Sequence, residues 1–139
     1  MAIKDEISII TEQVHVGSLA TINEDGSPWS SPLHFAFTDT MVYWLSSEKT
    51  QHSQNIARDG RVSIVLWLPS TPPNVKGVYV QSEAALLTGP AEITARQLYK
   101  ARFGSGLPDD FYLAEIYGAP LGEIDETKTR GGRIYFKQA

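Results

Sequence analysis

Residues 17–68 read GSLATINEDGSPWSSPLHFAFTDTMVYWLSSEKTQHSQNIARDGRVSIVLWL, and the punctuation in this stretch decides the fold. Glu24-Asp25-Gly26 is turn chemistry, because glycine accepts a positive φ. Thr38-Asp39-Thr40 makes a second short loop. Three β-like runs result, at 14–22, 29–37 and 41–46. Pro28 and Pro32 cannot donate to a ladder, so the second run belongs at a sheet edge or carries a bulge near Pro32. Residues 50–58 read as a short helix, stopped by Asp59-Gly60. The run 61–68 is almost continuously apolar, as in a strand buried on both faces.

Outward from this stretch, Ile3, Ile7 and Ile10 recur at helical spacing, and the charged residues between them make an amphipathic helix. A Pro-rich loop covers 69–74. A long strand follows at 77–88, broken by Gly89-Pro90. Thr94 and Gln97 form a capping box that opens a helix through Phe103, closed by Gly104. Asp109 and Asp110 favour the start of another short helix through Tyr117. Residues 123–132 read as a polar loop and 133–137 as a last strand. Consecutive strands with short connections imply one domain over 1–139. It is mainly β, an antiparallel barrel with a few helices outside.

Composition narrows the function. The chain has 139 residues, is 42% hydrophobic and 20% charged, and contains no cysteine. Disulfides, thiolate metal sites and cysteine nucleophiles are therefore excluded. A net charge of −4 without a basic stripe argues against nucleic acid as the main partner. No apolar run approaches the roughly 20 residues needed to span a bilayer. The N-terminus is charged and does not resemble a signal peptide. The expectation is a cytoplasmic protein with no membrane partner.

Candidate chemistry concentrates in Ser46-Ser47-Glu48-Lys49-Thr50-Gln51-His52, between strand and helix. Free N–H groups at a helix start, hydroxyls, the Lys49 charge and the His52 ring together suit a phosphate. If His52 serves as a cation, phosphate affinity falls as pH rises through its bound-state pKa. His15, His34 and His52 are far apart in sequence and give no metal-ligand spacing. Trp29, Trp44 and Trp67 fall on what read as three neighbouring strands, as core or as flanks of a flat ring. Arg130-Gly131-Gly132 reads as a solvated loop or an anion-binding turn. Gly104-Ser105-Gly106 lacks the third glycine of a dinucleotide fingerprint, since position 109 is Asp109.

The chain resembles the pyridoxamine 5′-phosphate oxidase-like superfamily, the flavin-binding split barrels. The matching residues are Leu19-Ala20-Thr21-Ile22-Asn23 with Asp25-Gly26, then Pro32 and the strand through Phe37. Tyr43-Trp44-Leu45-Ser46, Asn55-Ile56 and Asp59-Gly60-Arg61-Val62-Ser63-Ile64-Val65 follow, with Val78-Tyr79-Val80 and the segment from Ala84 to Gly89 in the next strand. The resemblance implies a six-stranded antiparallel split barrel, a homodimer, and FMN in the groove between the subunits. It puts Ser30, Ser31, Pro32 and Leu33 along the ring and ribityl chain, with Leu45 and Ser46 touching through backbone. It puts Thr50, Gln51 and His52 at the phosphate, Lys49 beside them, and Gly77 near the ring of the neighbouring subunit. The family oxidase carries Ser-Arg-Lys where this chain has Thr50-Gln51-His52. Its substrate motifs are approximated only by Tyr99 with Arg102 and by Arg133-Ile134-Tyr135. The implied activity is an FMN-dependent oxidoreductase of unknown substrate and electron donor. The alternatives are a flavin-binding module without turnover and a relative that binds haem or a deazaflavin. For haem, His34 or His52 would be the axial nitrogen.

Overall fold

The computed structural model describes residues 2–104 and 113–137. Helix α1 (Ile3–Gln13) is followed by β1 (Val16–Ile22), β2 (Pro28–His34), β3 (Ala36–Phe37) and β4 (Met41–Ser46). Helix α2 (Gln51–Arg58), β5 (Arg61–Leu68), β6 (Lys76–Glu83), β7 (Ala85–Leu86) and α3 (Gly89–Phe103) come next. Strands β8 (Glu115–Pro120), β9 (Glu123–Ile124) and β10 (Arg133–Lys137) complete the described chain.

Two sheets form where a six-stranded antiparallel split barrel was expected. The larger has the order β2-β1-β5-β6-β10-β9 and the smaller β3-β4-β8-β7. The larger sheet is mixed, because β10 runs parallel to β6. Twice the chain changes sheet within a run expected to be a single strand. The run expected over 29–37 breaks at the fully buried Phe35, whose N–H makes a last bond to the β1 side, to the His15 carbonyl at 3.1 Å, before the chain continues as β3 in the smaller sheet. The strand expected over 77–88 breaks at buried Ala84 and continues as β7. The edge position of β2 follows from its prolines.

The core fills the space between the sheets. Leu19, Ile64, Val78, Val80 and Ile134 of the larger sheet meet Val42, Trp44, Tyr117 and Ala119 of the smaller. On its other face the smaller sheet packs Tyr43, Leu45 and Ile116 against Ala95 and Tyr99 of α3. So β4, not β5, is the strand buried on both faces. In β5, Val62, Ile64 and Leu66 are buried, while Arg61, Ser63 and Trp67 face out. The three tryptophans are not on adjacent strands: β1 separates Trp29 from Trp67, and Trp44 is core in the other sheet.

Two helix expectations need correction. Gly89-Pro90 does more than end a strand. Pro90 stands in the first turn of α3, where its missing N–H has no intrahelical acceptor to lose, and Thr94 is mid-helix. The helix expected from Asp109 through Tyr117 begins outside the described residues, and where it would end the chain is β8. Tyr117 pairs across to Trp44, with the rings stacked at 6.2 Å, so tertiary packing overrides the local acidic signal.

Candidate functional site

Three elements meet at the strand-to-helix connection. Strand β4 ends at buried Ser46, α2 begins after Thr50, and β2 passes alongside. Thr50 caps α2, its Oγ1 accepting the Ser53 N–H at 3.3 Å and standing 2.8 Å from the Ser53 hydroxyl. The N–H groups of Gln51 and His52 lie in the first turn, where no intrahelical acceptor exists.

His52 ties the three elements together. It is only 8% exposed. Its Nε2 lies 2.5 Å from Ser46 Oγ of β4, and its Nδ1 lies 3.2 Å from Ser31 Oγ of β2. A neutral imidazole donates through one nitrogen and accepts at the other, which suits two hydroxyls. Burial pushes the His52 pKa below its ordinary value, because the charged form would lose its water. The ring is thus a neutral bridge between the sheets, whereas a phosphate-binding cation would need a free N–H and a retained charge.

One turn further along α2, Asn55 is fully buried. Its amide donates to Thr21 Oγ1 at 3.0 Å and to Asn23 Oδ1 at 2.9 Å, and accepts from Gln51 Nε2 at 2.9 Å. Arg58 donates to the Ile22 carbonyl and, at 3.4 Å, to Asn55. These bonds lock α2 onto the β1–β2 hairpin and occupy the Gln51 side chain. The sequence signal for them was the polar stripe Gln51, Asn55, Arg58 at helical spacing, opposite the Asn23 turn.

The eleven residues marked from the sequence do not all converge. Ser31, Ser46, Thr50 and His52 share one hydrogen-bonded cluster, while the Gln51 side chain is turned away to Asn55. Ser31 pairs with core-facing Leu19 and Ser30 with Ala20, so successive side chains of β2 alternate between faces. Ser31 and Leu33 point coreward; Ser30 and Pro32 point outward. One ligand can meet all four only partly through backbone. Leu45 is buried in the contact with α3. Lys49 is exposed, and among the described residues no carboxylate pairs with it. The nearby Glu115 carboxylate already accepts the Glu48 N–H at 3.1 Å. Gly77 lies on β6, with β1 and β5 between it and β2.

The family's other substrate positions have structural duties here. Tyr99 is buried and donates to the His34 carbonyl at 3.1 Å. Arg102 donates to the Thr11 and Glu12 carbonyls at the end of α1, at 2.8 and 2.6 Å. His15 and His34, distant in sequence, both pack on Phe103, at 5.8 and 5.9 Å between ring centres.

A family model described as pyridoxamine 5′-phosphate oxidase matches residues 3–118. The chain belongs to this family. No curated protein matches it. Among solved structures it is similar to the haem storage protein HutZ from Vibrio cholerae. That match has 19% identity and a TM-score of 0.74, covering 88% of this chain and 92% of that one. It is also similar to a haem-binding protein from Mycobacterium smegmatis, at 22% identity and TM-score 0.69, covering 88% of this chain and 52% of that one. A third is an FAD-binding protein from Mesorhizobium loti, at 18% identity and TM-score 0.64, covering 88% and 91%. At such identities the likeness is one of fold. Among the described residues no helix is long and apolar enough to cross a membrane.

Proposed function

We propose that this single-domain protein is an FMN-dependent oxidoreductase whose flavin lies between two copies of the chain. The observation that carries this is the meeting of Ser31, Ser46 and Thr50 around the start of α2, which brings hydroxyls and first-turn N–H groups to one place. These groups and exposed Lys49 fit the phosphate of FMN. The fit is looser than two fixed cations would make it, because His52 is held neutral and Gln51 is turned to Asn55. Bound flavin would supply hydride or electron transfer. The chain's part is to hold the phosphate, orient the ring along β2 and exclude water. Outward Val65, Trp67 and Tyr79 give a second copy an apolar face to cover, which would bring Gly77 of one chain towards the other's flavin.

The test is the absorption spectrum of the purified protein with and without added FMN, read with its mass in solution. A yellow dimer that passes electrons from a nicotinamide donor to an oxidant supports the reading. Lys49→Ala should weaken FMN binding by about 1.5–3 kcal/mol, the usual loss of a charged hydrogen bond. A protein that stays colourless with FMN, or a monomer, overturns the reading. A yellow dimer without turnover leaves a flavin-binding module.

A second reading is haem or deazaflavin binding on the same fold. His52 is a poor axial ligand because both ring nitrogens are engaged. His34 is exposed at the end of β2 and is the histidine that fits that role. A Soret band on haem addition, lost in His34→Ala, would favour it over FMN.

A further inference from the structure

Helix α2 has a second face that the candidate site does not use. Gln51, Asn55 and Arg58 recur on the side that grips the β1–β2 hairpin. At about 3.6 residues per turn, Ser53 and Ala57 fall on the opposite side. There α2, β7 and β8 line a cavity of about 400 Å³. Ile56, Ala57, Ala84, Ala85 and Leu86 give it an apolar wall, and Glu48, Ser53, Gln54 and Tyr117 supply its polar groups. Apolar walls with a few convergent polar groups are the make-up of a small-molecule pocket.

The charge of this cavity has one sign. Glu115, at the start of β8, is held beside Glu48 by accepting its N–H at 3.1 Å. Among the described residues no lysine, arginine or histidine lies within ion-pair distance of either carboxylate. Both carboxylates act on Tyr117. Its pKa is raised from the ordinary value first by burial; a hydrogen bond with Ser53 offsets part of the rise, and the Glu115 and Glu48 charges add to it. The phenol is held rigidly, because Tyr117 is buried and stacks on Trp44 with ring centres 6.2 Å apart. Its oxygen meets the Ser53 hydroxyl and has capacity for a further donor. Ser53 is itself fixed, 2.8 Å from the Thr50 hydroxyl. A fixed oxygen acceptor and two unpaired carboxylates thus adjoin an apolar wall.

We infer that this cavity binds a small primary amine with an apolar body, an alkyl- or arylalkylammonium, with its charged head on Glu48 and the Tyr117 oxygen and its body against Ile56, Ala57 and Leu86. An ammonium group has donors only, and the groups offered to it are acceptors. Hydrogen bonds between ionised partners are roughly twice as strong as neutral ones, so the head supplies the specificity and the body adds buried area. The same two carboxylates repel anions, so the cavity is no second seat for a phosphate. It does not depend on the flavin reading, which puts an anion at the start of α2 beside β2 and leaves the β7–β8 side alone.

The experiment is calorimetric titration of the full chain with phenethylamine at about pH 7, where a primary amine is charged. 2-Phenylethanol and phenylacetate keep the body and change the head. Phenethylamine should bind, the alcohol about ten-fold or more weakly for want of the charged bond, and phenylacetate not at all. Raising ionic strength from about 0.01 M to about 0.1 M should weaken the amine and leave the alcohol unchanged. Glu48→Gln, at an exposed position, should weaken the amine about ten-fold and spare the alcohol. Ala57→Leu, also exposed and with its fold checked by circular dichroism, should narrow the cavity and weaken both. In NMR spectra the bound amine should shift the methyl signals of Ala57, Ala84 and Ala85 and leave Ala20 on β1 unmoved. Failure of wild type to bind the amine overturns the site, as do equal affinities for amine and alcohol or an unchanged amine affinity in Glu48→Gln. Added amine should not displace FMN, and one-for-one displacement would also overturn the inference. Amine binding by a chain that ignores FMN refutes the flavin reading alone.

Discussion

Replacing His52 with alanine should loosen the junction on which the candidate site is built. The substitution removes contacts to Ser46 at 2.5 Å and Ser31 at 3.2 Å. Each hydrogen bond contributes about 1 kcal/mol net, and the buried hydroxyls and small void left behind add to the loss. The expected destabilisation is about 2–3 kcal/mol. For a chain of this length that lowers the melting temperature by about 6–12 °C. The pH dependence carries the sharper test. The folded-state pKa of His52 is depressed below the unfolded value near 6.5, with burial as the cause. Between those two values the unfolded chain binds more protons than the folded one. Stability is therefore full above about pH 7 and is lost as pH falls through the unfolded pKa towards the folded one. His15, also depressed by burial and by Arg102 and His34, gives a weaker trend of the same sign. The quantity to measure is thus the difference in acid sensitivity between wild type and His52→Gln, by thermal melts from about pH 5 to about pH 7.5. The variant should lose most of the slope. Identical slopes, with little loss of stability in His52→Ala, would refute the buried neutral bridge. The same bridge implies that FMN affinity does not follow the charge of His52 across this range.

Two further outcomes follow from local geometry. A Cβ on Gly17 would stand 2.5 Å from the Val65 carbonyl oxygen and 2.8 Å from Leu66 Cγ, so Gly17→Ala should destabilise by about 1–3 kcal/mol in chemical denaturation. Asp59 is held down to about 2, first by the Arg61 side-chain hydrogen bond at 2.7 Å and then by the Arg61 N–H. Carboxyl NMR titration of Arg61→Gln should return Asp59 towards 3.8, and the variant should then lack the stability that wild type has above 3.8 and loses as pH falls through about 2.

Much of this protein was legible locally. Turn glycines, the Thr50 cap and the spacing of Ile3, Ile7 and Ile10 act within a few residues, so they marked α1, β4, α2, β5 and β10 closely. The prolines of β2 marked an edge because a missing N–H is a property of the residue itself. What the tertiary structure decided is non-local. Which apolar strand is covered on both faces depends on where α3 docks, so that place falls to β4 and not to β5. The switches of sheet at Phe35 and Ala84 and the parallel seating of β10 depend on partners far along the chain. His52 shows the difference most plainly. Its sequence neighbours describe a helix start ready for an anion. Only the fold brings Ser31, 21 residues away, to its second nitrogen and takes away the water that would support its charge.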